Sequence, residues 1–139
     1  GALKSRQNIY NHLDMLVREA QKTITLVTTA DGLSRKLEVL LPSLEKAKKR
    51  GVKIRIAAPI TADNKKVAKD FTKVGEVRNV QDLNARFMLV DSEQMMFMLL
   101  NDDEVHPTYD IGIWLNTEFF AQALESLFEI AWKNFKVVK

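Results

Sequence analysis

Apolar residues recur at helical spacing through "NIYNHLDMLVREAQ", at Ile9, Leu13, Leu16, Val17 and Ala20. That pattern predicts an amphipathic helix over residues 6–22. The period then changes. "TITLVTT" (23–29) is β-branched and apolar with little alternation, as in a strand covered on both faces. "DGLSRK" breaks the chain, and Ser34 is placed to cap a second helix over 35–50. Its inner face would carry Leu37, Leu40, Leu41, Leu44 and Ala47. Pro42 falls inside that stripe and marks a kink or a helix start, because proline cannot donate to the ladder. Gly51, after "KAKKR", predicts the helix C-terminus, with the cations complementing the helix dipole.

"VKIRIAAP" (52–59) is the next strand, so residues 23–59 make a βαβ unit with parallel strands. A short helix over 62–75 would turn Val67, Ala68 and Phe71 inward. A strand follows over 76–80. "ARFMLVD" and "QMMFMLL" are two strands joined by "SEQ", which is hairpin length. "NDDEVHP" is a polar loop and "TYDIGIWLN" another strand. The last helix spans 117–135, with Thr117 as cap. Phe120, Leu124, Leu127, Phe128, Ala131 and Trp132 form its apolar stripe. The order α-β-α-β-α-β-β-β-β-α predicts an α/β fold, one mixed β-sheet flanked by helices, in a single domain over 1–139.

Composition narrows the chemistry. The 139 residues hold 46% hydrophobic and 28% charged residues, ordinary for a globular domain. A net charge of +3 is mildly basic and is no nucleic-acid signature by itself. With no cysteine, disulfides and thiolate metal sites are excluded, which fits the cytoplasm. No apolar run approaches the roughly 20 residues that span a bilayer, so no membrane is expected as a partner. "GALKSRQN" has no signal-peptide core and reads as the start of a domain excised from a longer protein.

Most familiar site patterns are missing. His12 and His106 lie in different elements and in no metal-ligand spacing. No glycine-rich phosphate loop and no GxSxG elbow is present, and no cofactor or metal is implied. "EKAKKR" (45–50) reads as a solvated helix end, and "NDDE" (101–104) as a solvated turn without calcium-loop spacing. What stands out is "NARFMLVD". Alternation puts Asn84 and Arg86 on one face and Ala85 and Phe87 on the other. Polar residues on a sheet face under helices need partners or a ligand. Asp91 ends that strand and Asn101 ends the next.

The stretch "NARFMLVDSEQMMFMLLN" resembles the HxKxxxxDxxxxxxGSxN pattern of phospholipase D-type phosphodiesterases, with the spacing kept throughout. Asn84 stands at the His position, Arg86 at the Lys, Asp91 at the Asp and Asn101 at the final Asn, while Met98 and Leu99 replace Gly-Ser. In that family the His is the nucleophile that takes up the phosphoryl group. An amide is not nucleophilic at neutral pH, so the resemblance implies the shape of the site without its catalytic residue. A catalytically dead domain of this kind resembles the phospholipase D-like effector-binding and dimerisation domain of the TrmB family of archaeal transcriptional regulators. "LLPSLEKAKKRGVKIRIAAP" and "FFAQALESLFEIAWKNF" carry that resemblance further.

The resemblance implies a ligand-sensing, homodimeric module of a transcriptional regulator, with DNA contacted only through a separate N-terminal domain. The effector would be a small molecule or anion, held by Asn84, Arg86 and Asn101 with Thr28, Thr29 and Ala58, and the two motif hairpins would face each other across the dimer. Two alternatives stand beside it. A divergent phosphodiesterase or nuclease would need His12 or His106 as a replacement nucleophile. A purely structural dimerisation module would satisfy Asn84 and Arg86 internally, for example through Asp91 or Asp110, and leave no cavity.

Overall fold

The computed structural model describes residues 1–139, apart from the side chain of Leu37, so the inward placement expected of that residue lies outside the described residues. Eight strands form one mixed sheet. In chain order the elements are β1 (Ala2–Lys4), α1 (Arg6–Glu19), β2 (Thr23–Val27), α2 (Ala30–Lys49), β3 (Lys53–Ala58), α3 (Lys65–Phe71) and β4 (Glu76–Asn79). Then come β5 (Phe87–Val90), β6 (Gln94–Met98), a 3-10 turn (Pro107–Tyr109), β7 (Ile111–Asn116), α4 (Glu118–Trp132) and β8 (Lys136–Val137). The strand order is β1-β7-β6-β5-β2-β3-β4-β8, with β2-β3-β4 parallel and the remaining pairs antiparallel.

Strand alternation divides the core into two layers. Ile24, Leu26, Ile54, Ile56, Met88, Val90 and Met96 point to one face, where they meet α1, α2 and α3. Val27, Ala57, Leu89 and Met95 point to the other, where α4 alone covers them with Ala121, Phe128 and Trp132.

Two edge strands escape the sequence pattern because they are too short to alternate. Ala2–Lys4, within the stretch read as the start of an excised domain, pairs with β7, and Gly1 exchanges backbone bonds with Trp114. At the opposite edge Arg78 and Asn79 pair with Val137 and Lys136.

Helix α2 corrects a boundary. It starts at Ala30, five residues before the expected start, and Thr29, in place of Ser34, caps it by accepting from the Gly32 amide at 3.0 Å. Gly32 reads as a breaker, yet here glycine is needed for close approach. A Cβ there would lie 2.3 Å from the Thr28 hydroxyl and 2.8 Å from that of Thr29. The helix runs on through Pro42. It ends in a Schellman motif: Gly51 at φ +91° donates to Lys48 O and Val52 donates to Ala47 O. Thr117 precedes α4 as expected but makes no side-chain capping bond; its amide donates to Glu93 O instead.

The predicted stripe of α4 is also corrected. Phe128 and Trp132 are buried, but Phe120 and Leu127 are exposed, because a lone helix on a sheet covers a narrower arc than the stripe supplies.

Candidate functional site

The polar positions flagged in the sequence gather at one edge of the sheet. Residues 28–30 leave β2, Pro59 leaves β3, residues 84–86 lead into β5 and residues 98–101 leave β6. Ligands in open α/β sheets bind in this region, beyond the carboxyl ends of the parallel strands. A cleft of about 360 Å³ opens there, lined by Thr29, Asn84, Arg86 and Asn101 together with apolar Pro59, Met98 and Leu99. Thr28 and Ala58 do not line it. Thr28 is buried beneath, and Ala58 belongs to the main core.

Asn84 and Asn101 are exposed at the rim, whereas Arg86 is 4% exposed and forms the floor. Its guanidinium is already engaged. Nη2 donates to Asp110 Oδ2 at 2.8 Å, and Nη1 donates to Asp110 Oδ1 at 3.1 Å and to the Leu100 carbonyl at 2.9 Å. The expectation that Asp110 would satisfy Arg86 internally therefore holds, while the absence of a cavity expected alongside it does not.

Behind the floor lies a charge cluster that the sequence reading did not assemble. Arg6 donates from Nε to Asp110 Oδ2 at 3.1 Å and from Nη2 to the Asp102 carbonyl at 3.3 Å. Asp102 Oδ2 accepts from the Thr29 hydroxyl at 2.7 Å and pairs with Arg35. Lys36 is fully buried, its ammonium donating to Thr28 Oγ1 at 2.9 Å and lying 5.3 Å from the centre of the Tyr10 ring. Among the described residues of the cluster, Arg86 Nε and Asp102 Oδ1 have no hydrogen-bond partner and face each other as an ion pair at 4.0 Å.

Four cations thus face two buried carboxylates, and the balance appears in their proton affinities. Burial, reinforced by the positive charge of Arg86, pulls Lys36 down to about 7, and Asp102 only partly opposes this. Burial would raise both carboxylates. The Thr29 hydroxyl with Arg86 and Arg35 outweighs it at Asp102, and Arg86 with Arg6 outweighs it at Asp110, so both are held below the usual carboxylate range. "NDDE" is accordingly not a uniformly solvated turn: Asp103 and Glu104 are exposed, but Asp102 is buried. The signal for Arg6 and Lys36 was present. Both are cations in line with an apolar stripe, Arg6 ahead of Ile9 and Leu13, and Lys36 between Leu33 and Leu40.

Asp91 does structural work at the far end of the sheet. With φ +57° it aims its carboxylate at the turn after α1, accepting from the amides of Gln21 (2.9 Å), Lys22 (2.7 Å) and Thr23 (2.9 Å). Neither histidine lines the cleft. His12 packs edge-on against Trp114, where burial lowers its proton affinity, and His106 accepts from the Thr108 amide. Among the described residues, no cluster of His, Asp and Glu converges on a metal site, and no helix is long and apolar enough to cross a membrane.

No curated protein sequence matches the chain. Among solved structures, TrmBL2, described as an archaeal chromatin protein with a novel mode of DNA binding, superposes with a TM-score of 0.76 at 18% identity. The match covers 99% of this chain and 54% of that one, so the chain spans about half the length of this relative. Nuc from Salmonella typhimurium, a phospholipase D family member, superposes at 0.74 with 13% identity, covering 100% of this chain and 98% of its own. NucT from Helicobacter pylori gives 0.78 at 11% identity, covering 99% and 98%. At these identities the likeness shows the phospholipase D-like fold alone. The family described as "Transcriptional regulator TrmB, EBD N-terminal subdomain" matches residues 2–139, and the chain belongs to it.

Proposed function

We propose that this chain is the ligand-sensing and dimerising part of a transcriptional regulator. Its DNA contacts are made by a separate N-terminal domain, and it does not cleave phosphodiesters. The observation that carries this reading is the combination of an open cleft with a floor whose two terminal guanidinium nitrogens are already bonded. Asn84 holds the nucleophile's place without a nucleophilic atom. Arg86, at the cationic position of the motif, spends its fork on Asp110 and Leu100 O and has little left for a transferring phosphoryl group. The histidines that an enzymatic reading requires lie elsewhere.

A route from cleft to chain also supports sensing. Thr29 lines the cleft and bonds Asp102, whose carbonyl accepts from Arg6 at the first turn of α1. An effector that displaces Thr29 or Asn101 would act on the segment that joins α1 to whatever precedes it, biasing one arrangement of that joint. The effector is a small molecule or anion that reaches Thr29, Asn84 and Asn101.

The test is a thermal-shift screen of sugars, nucleotides and inorganic anions. Binding at 100 times Kd stabilises the native state by about 2.7 kcal/mol. A compound that raises Tm, with no turnover of bis-p-nitrophenyl phosphate, supports the reading. Turnover that disappears in Arg86→Ala would contradict it.

A further inference from the structure

Charge is unevenly distributed along the chain. Residues 45–73 hold ten of the 21 Lys and Arg and three of the 18 Asp and Glu, so this stretch carries +7 and the rest of the chain −4. Two of the ten cations are spent inside the domain: Arg50 donates to the Val17 and Ala20 carbonyls, and Arg55 pairs with Glu129. The other eight are lysines, and all are exposed. Lys46, Lys48 and Lys49 lie on the last turn of α2, and Lys53 opens β3. In α3, Ala68 and Phe71 turn into the core, which leaves Lys65, Lys66 and Lys69 outside, with Lys73 just past the helix end. Lys48 donates to the Lys73 carbonyl at 2.7 Å, so the two groups adjoin. Among the described residues, Lys73 alone of the eight has an ion-pair partner, Asp70 at 3.6 Å. The helix dipole accounts for the lysines that end α2. It does not account for Lys65 and Lys66, which occupy the first turn of α3, where a cation is unfavourable and no acidic residue offsets it.

We propose that the surface formed by α3 and the end of α2 grips the phosphate backbone of double-stranded DNA without reading its sequence. Recognition of a target sequence stays with the separate N-terminal domain, and these lysines add a second hold on the duplex. Three features select this partner. No large apolar side chain of residues 45–73 is exposed. The surface therefore offers neither the stacking platforms that single strands use nor the apolar face with which a helix enters a membrane. The exposed cations are all lysines, compact point charges that suit phosphates, with no guanidinium fork to match the paired acceptors of guanine. The size also fits: the seven residues of α3 rise about 10 Å, along which a duplex presents about six phosphate charges. None of the eight lysines lines the cleft, so effector and duplex would occupy separate places.

The experiment is fluorescence anisotropy of a short labelled duplex titrated with the full chain at several salt concentrations. The expected result for wild type is an affinity that falls about 100-fold between about 50 and 200 mM salt, as four or more neutralised phosphates require. Two duplexes of unrelated sequence should bind alike. Lys65→Gln/Lys66→Gln/Lys69→Gln/Lys73→Gln should weaken binding at least about tenfold at the lower salt and flatten the salt slope by about three. Lys4→Gln/Lys133→Gln/Lys136→Gln/Lys139→Gln removes the same charge from elsewhere and should stay within about threefold of wild type. Circular dichroism confirms that both variants fold. No binding by wild type at low salt, or an equal loss in the two variants, would overturn this surface. So would sedimentation of the chain with phosphatidylserine vesicles under conditions where the duplex stays free.

Discussion

Replacing Asp110 by Asn probes the floor of the cleft most sharply. The carboxylate is fully buried and accepts from Arg6 Nε, from both terminal nitrogens of Arg86, and from the Ile111 amide at 3.0 Å. The amide is nearly isosteric, so packing is kept. One acceptor oxygen becomes a donor facing donors, and Arg6, Arg35 and Arg86 are left with one carboxylate in place of two. Breaking a buried ion pair by neutralising one partner costs about 3 to 5 kcal/mol. For a domain of this size that is roughly 10 °C or more in Tm. Urea denaturation followed by tryptophan fluorescence measures it, with Arg86→Met and the double variant completing a cycle. The double variant should cost less than the sum of the singles, because it removes the unpaired charge. The acid limb carries a second signature. A carboxylate whose folded pKa is lowered stabilises the fold above its unfolded pKa and loses that contribution as pH falls through the folded value. Wild type should therefore lose stability in acid that Asp110→Asn has already lost at neutral pH. A cost below about 1 kcal/mol, or strict additivity with Arg86→Met, would refute the idea that this pair holds the cleft floor.

Lys36→Met should stabilise the protein most below pH 7. The folded lysine, at about 7, stays neutral while the unfolded one remains charged, so wild type gains stability relative to the variant by about 1.4 kcal/mol per pH unit between pH 7 and 10; chemical denaturation at pH 6 and pH 9 reads the difference, and a constant gap would contradict it. Asp91→Ala should cost about 2 kcal/mol, from three unmet amide donors and a positive φ that alanine tolerates poorly, whereas Asp91→Asn should cost less. Gly32→Ala should destabilise, although the same change at an unconstrained helix position gains about 1 kcal/mol; its Cβ meets the Thr28 and Thr29 hydroxyls, and a rise in Tm would show that the cap can give way.

Long periodic segments were legible in the sequence: α1, β2, the end of α2 at Gly51 and the β5–β6 hairpin were all foreshadowed by spacing. The start of α2 was not, because Gly32 reads as a breaker until the close approach of Thr28 and Thr29 is known. β1 and β8 are held by pairing with β7 and β4 rather than by any local pattern. The rim of the cleft was partly legible through the motif spacing, which brought Asn84, Arg86 and Asn101 together, while Thr28 and Ala58 lie buried beneath it, because a strand-end position does not reveal which way a side chain turns. The cluster of Arg6, Arg35, Lys36, Asp102 and Asp110 draws on α1, α2 and the loop after β6, so only tertiary folding assembles it. Asp110 was glimpsed as a partner for Arg86, and Lys36 could have been noticed as a charge on an apolar stripe.

The cleft beside Asn84, Arg86 and Asn101 is the proposed effector site. Leu99 is 53% exposed on its wall, so Leu99→Trp should fill the cleft without disturbing the core. Any compound that raises the Tm of wild type is titrated calorimetrically into both proteins. The expected result is saturable one-site binding to wild type and at least a tenfold weaker Kd, about 1.4 kcal/mol, in Leu99→Trp. Equal affinity in the two proteins would contradict it.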